Sequence, residues 1–80
     1  MSRVIFKYWN LSDNDKLTVY RVRYDDYGET TVTVNKNTKD YSLDGSCEVP
    51  PDDQYHMVYP IFKAVERDVP LPQGVVIGCG

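Results

Sequence analysis

The chain has 80 residues, with 12 acids against 9 bases and a formal net charge of −3. That length supports one small domain over 1–80, near the lower limit at which a single core holds without disulfides or a metal. The charge is too mild to imitate a polyanion and has the wrong sign for bulk electrostatic attraction to DNA, and no apolar run approaches a membrane span.

Arg3–Trp9 reads as a first strand, with Val4, Phe6 and Tyr8 on one face and Ile5, Lys7 and Trp9 on the other. Lys7 assigns the second set to solvent. Asn10–Asp15 is dense in turn formers and is expected to connect this strand to the next. The Asn10-Leu11-Ser12 sequon within it is expected to be incidental, since glycosylation requires secretion and a cytoplasmic protein is expected.

Lys16–Tyr24 and Glu29–Asn35 form the clearest unit, a β-hairpin around Asp25-Asp26-Tyr27-Gly28, where Gly28 can take positive φ. Thr18, Tyr20, Val22 and Tyr24 alternate with Leu17, Val19, Arg21 and Arg23. Val32 and Val34 alternate with Thr31 and Thr33. With the first strand, these give a three-stranded antiparallel meander. Its inner face is Val4, Phe6, Tyr8, Tyr20, Val22, Tyr24, Val32 and Val34. Its outer face is Ile5, Lys7, Trp9, Leu17, Val19, Arg21, Arg23, Thr31 and Thr33.

From Asn35 to Pro51 the periodicity is lost. The segment reads as a long loop pinned by Tyr41, Leu43 and Val49, with a short strand expected near Cys47–Val49. A loop of that length is often functional. Beyond it, Val58, Ile61, Phe62 and Val65 share a helical stripe with Met57 beside it. Pro51, Asp52 and Asp53 suit a first helical turn, but Pro60 in a helix interior removes a hydrogen bond and costs about 3 kcal/mol. The firm helix is therefore expected from Tyr59 to Asp68, with Phe62 as a core anchor and Asp52–Val58 left open. Pro70 and Pro72 end it. The continuous apolar run Gly74–Gly78 reads as a last strand buried on both sides, inside the sheet. The expected fold is a small α+β two-layer sandwich: a mostly antiparallel sheet of three to five strands covered by one short helix.

Catalytic chemistry has few candidates. His56 is the only histidine, and a Cys47 or Cys79 nucleophile paired with it and oriented by Asp52 or Asp53 is conceivable. No spacing demands it. Asp25-Asp26 and Asp52-Asp53 are explained by a turn and a helix start, and no glycine loop for phosphate precedes a helix. Cys47, His56 and Cys79 supply at most three soft ligands without the close pairs of a structural zinc site. Neither an enzyme nor a cofactor or metal is expected. The first strand starts within a few residues of Met1, so no secretory leader is expected. A cytoplasmic protein with reduced thiols is expected.

The outer sheet face remains. Lys7, Trp9, Arg21 and Arg23 would share it, with Arg3 at its rim and apolar Ile5, Leu17 and Val19 among them. Trp, Tyr and Arg dominate interface energies, so the first expectation is a non-enzymatic protein-binding module, an inhibitor or adaptor acting on a larger protein. Bacteriophage-encoded inhibitors of host enzymes or defences commonly have this size and aromatic, acidic character, an analogy of type only. The alternative is a single-stranded nucleic-acid-binding module that stacks bases on Trp9 and tracks phosphates with the three bases. A homodimer stays open; membrane association is not expected.

Overall fold

The computed structural model describes residues 4–25, 27–45 and 49–79. In chain order it contains β1 (Val4–Asp13), β2 (Leu17–Tyr24), β3 (Gly28–Asn35), β4 (Tyr41–Gly45), α1 (Pro51–Arg67) and β5 (Val75–Cys79). The strands form one antiparallel sheet in the order β4-β3-β2-β1-β5. α1 lies across one face, which makes the molecule a two-layer α+β sandwich.

The alternation in β1, β2 and β3 sorts residues to the two faces as the sequence implies. Phe6, Tyr8, Tyr20, Val22, Tyr24, Val32 and Val34 are all buried, joined by Thr18. Their rings run in file: Tyr24 and Phe6 have centroids 5.4 Å apart, Phe6 and Tyr8 6.4 Å, and Tyr8 meets Tyr20 edge-on at 6.4 Å. The remaining member of the expected inner set, Val4, has a side chain outside the described residues.

These tyrosines also supply polar ties to the covering layer. The Tyr8 hydroxyl donates to the Met57 carbonyl at 2.6 Å, and Tyr24 donates to the Asp53 carboxylate. The Tyr20 hydroxyl accepts the Leu71 N–H at 2.9 Å. A buried hydroxyl costs free energy unless it is hydrogen-bonded, and here each bond also fixes where α1 or the segment after it sits.

Four expectations need correction. β1 does not stop at Trp9; it continues to Asp13 across the predicted turn. A bulge makes this possible, since Asn10 pairs with Tyr20 but Ser12 with Val19, so Leu11 is an extra residue. The Asn10 side-chain amide holds it by donating to the carbonyls of Ser12 and Val19 and to Thr18 Oγ1. The actual turn is Asn14–Lys16, where Asn14 Oδ1 accepts the N–H groups of Lys16 and Leu17.

The expected loop contains strand β4 at Tyr41–Gly45, with Leu43 opposite Val32 and Tyr41 opposite Val34. The short strand expected near Cys47–Val49 is not there at Val49, which is buried irregular chain; Cys47 lies outside the described residues.

α1 begins at Pro51, eight residues before Tyr59, and runs through Pro60. Its buried stripe is Met57, Val58, Ile61 and Ala64. Phe62 and Val65 are only half-buried, and Phe62 leans edge-on against exposed Tyr41 with centroids 6.1 Å apart. Asp68 in left-handed conformation closes the helix, its N–H reaching back to the last turn.

β5 is an edge strand and not an interior one. Val75 and Ile77 face the core while Val76 is 56% exposed on the other side.

Candidate binding face

The face opposite α1 carries the residues singled out for binding. Antiparallel register sets Lys7 opposite Arg23 and Trp9 opposite Arg21. Cross-strand neighbours of this kind have Cβ atoms about 5 Å apart, so all four side chains form one patch on two central strands. Lys7 Nζ sits 5.3 Å from the Trp9 ring centroid, a cation–π distance. Trp9 is half-buried, and Lys7, Arg21 and Arg23 are exposed. Arg3, expected at the rim, lies outside the described residues.

Around this patch the register continues in rows. Val76 of β5 stands beside Lys7, and Glu29 of β3 stands beside Arg23. Thr31 stands beside Arg21, with Asp44 of β4 next in the row. Arg21, Glu29, Thr31, Asp44 and Gly45 are among the residues that line a shallow open depression. Ile5 and Leu17 are exposed on the same face, and Val19 is half-buried there. A Cβ at Gly74 would lie 3.8 Å from Trp9 Nε1 and from Lys7 Cε, ordinary contacts that leave room for a side chain. The φ of +76° is the reason for glycine there. Electrostatically the face is mixed: three cations in its centre, with carboxylates of Glu29 and Asp44 toward the β4 edge. Such a surface can hold an aromatic or apolar partner group against Trp9 and meet a partner carboxylate with Arg21 or Arg23.

The other chemistry-bearing residues are not gathered. His56 is exposed on α1 with its ring 5.9 Å from that of Tyr55. Asp53 is engaged by Tyr24, and Asp52 is exposed. Cys47 and the Cys79 side chain fall outside the described residues, so their pairing with His56 does too. Among the described residues no three His, Cys, Asp or Glu side chains come together as a ligand set.

Two surfaces escaped the sequence reading. Tyr55 and Tyr59 are exposed in line on the solvent side of α1, 5.9 Å apart, with Lys63 Nζ 5.4 Å from the Tyr59 ring. Its interaction with the Tyr59 hydroxyl, and then with Glu66, holds the Lys63 pKa above the ordinary lysine value. Their spacing of four would have been informative had α1 been carried back to Pro51. The second is a groove between the last turns of α1, Val69–Pro72 and Ile77, whose walls come together only through the fold.

No family model, curated protein or solved structure matches the chain. No helix among the described residues is long and apolar enough to cross a membrane.

Proposed function

We propose that the chain is a non-enzymatic protein-binding module, an inhibitor or adaptor, that engages a larger protein through the sheet face opposite α1. The observation that supports this reading is the grouping of Trp9, Lys7, Arg21 and Arg23 at the centre of a face that no described element covers. Half-buried Trp9 and Val19 share this face with exposed Ile5, Leu17 and Val76, while the core lies on the other side of the sheet. Contiguous apolar groups with polar neighbours are a common mark of interaction surfaces, and Trp and Arg are the usual anchors. A cytoplasmic partner is part of the proposal.

Nucleic acid would use the same cations, but Glu29 and Asp44 lie in register with them and would face a phosphate backbone. The deciding experiment is salt dependence. Binding by a protein partner should weaken only modestly between 50 and 200 mM salt as rim charges are screened. Binding to a random single-stranded oligonucleotide that collapses over that range, as counterion release requires, would replace the proposal with the nucleic-acid reading.

A further inference from the structure

We infer that the open edge of β5, together with the groove beside it, is a second docking site, which takes an extended, acid-flanked apolar segment of another protein as an added strand. This site is separate from the outer face.

The backbone is the first part of the argument. The Asp25 N–H bonds to the Ile5 carbonyl in the β1–β2 register, so odd residues of β1 pair toward β2 and even ones toward β5. Phe6 stands opposite Ile77 and Tyr8 opposite Val75. Alternation then turns the N–H and C=O groups of Val76 and Gly78 away from β1, to an edge with no neighbouring strand among the described residues. Proteins usually blunt such edges with charges, prolines or bulges. The sequence of β5, Val-Val-Ile-Gly-Cys, has none of these, whereas the opposite edge, β4, carries Asp44. Gly78 is exposed and puts no side chain beside that edge.

The groove is the second part. Pro60, Lys63, Arg67, Leu71, Pro72 and Ile77 are among the residues that line a depression of about 320 Å³ on the α1 side of this edge. Its floor is apolar and its charged groups are both cationic. Arg67 has no ion pair among the described residues, and Lys63 is held only by exposed contacts, with Glu66 at 3.6 Å and with Tyr59, whose ring centroid is 5.4 Å from Nζ. A strand laid along β5 sends alternate side chains to this side of the sheet. Apolar ones fit the floor, and a carboxylate at either end meets Lys63 or Arg67.

A second copy of the chain fits less well. Antiparallel pairing of β5 with itself keeps both helices on one side of the continued sheet, and so brings the cations of both copies to that side. Charge complementarity selects an acidic segment.

The test uses a capped nonapeptide, Glu-Thr-Val-Thr-Val-Thr-Val-Thr-Glu, which as a strand puts three valines and both glutamates on one face. Titration into the isotope-labelled protein should give saturable amide shifts confined to residues 60–72 and 75–79. Exchanging the peptide's glutamates for lysines, or introducing Lys63→Glu with Arg67→Glu, should weaken binding at least tenfold. Val76→Pro, which removes an edge N–H where proline is tolerated, should do the same while leaving the core amides unshifted. Trp9→Ala should leave it unchanged. Absence of shifts at β5 up to millimolar peptide would overturn the proposal, as would equal binding of the lysine peptide. So would a dimer in sedimentation that Val76→Pro dissolves, because the edge would then belong to a second copy.

Discussion

Tyr8, Tyr20 and Tyr24 do two jobs at once in this small core: their rings fill it, and their hydroxyls each find a partner in the covering layer. Tyr8→Phe keeps the ring and removes the bond to the Met57 carbonyl, so it should cost about 1 kcal/mol in urea unfolding, the net worth of one such bond. The opposite sign is expected at Thr30, whose buried Oγ1 has no hydrogen-bond partner among the described residues. Thr30→Val keeps the shape and removes the unpaired group, and should raise stability by about 1 kcal/mol. A loss there would mean that the hydroxyl is paired after all. On α1 the weight shifts from Phe62 to Ile61. Ile61→Ala should cost about 2–5 kcal/mol because Ile61 is fully buried. Phe62→Ala, at the margin against Tyr41, should cost less than Ile61→Ala does. At this scale the inner and outer sets of β1 to β3 were legible in advance, because a strand's two faces alternate residue by residue. The helix was less so: a stripe of four positions can be rotated by one residue, and the small, buried Ala64 attracts no notice in a hydrophobic pattern.

Elements that depend on tertiary support were the ones that could not be read. Pro60 gives the His56 carbonyl no N–H to accept, yet α1 continues on both sides of it. What holds the first half of the helix is contact made by the fold: Met57 and Val58 are buried, Tyr8 and Tyr24 bond to Met57 and Asp53, and Gln54 Nε2 bonds to the Val49 carbonyl at 2.7 Å. Burying two such side chains is worth about 1.5–3 kcal/mol each, enough to offset a proline cost of about 3 kcal/mol. Strand β4 was hidden for a different reason. Only Leu43 and Tyr41 mark its inner face, and the segment's Asp and Gly are turn formers by composition. Its Gly45 has a steric reason: a Cβ would stand 2.8 Å from both the Glu29 carbonyl oxygen and Thr30 Cα. Gly45→Ala should therefore cost about 1–3 kcal/mol, with faster amide exchange in β4 than in β1 or β2. Equal exchange in all strands would show that the β3–β4 approach can relax. β5 was misplaced because a continuous apolar run looks the same whether it is buried or waits at an edge.

For the whole molecule, the sheet separates support from display. One face is committed to α1, and the other presents Trp9 among cations, so substitutions there should alter binding while sparing the fold. The candidate patch was legible because it needed only the strand alternation of β1 and β2; its acidic border was not, because Asp44 reaches it through a strand the sequence did not announce. The β5 edge and its groove were equally unreadable, since Lys63, Leu71 and Ile77 meet only in three dimensions. The most direct measurement of the central claim is capture from an extract of the native host, treated with nuclease, by the wild type and by Trp9→Ala at matched folded concentration. The expected result is one protein retained stoichiometrically by the wild type, and at least about 30-fold weaker retention by Trp9→Ala, the loss of an interface anchor worth about 2 kcal/mol. Arg21→Glu and Arg23→Glu should weaken it as well. Retention of the same protein by Trp9→Ala at undiminished strength would contradict the assignment of this face.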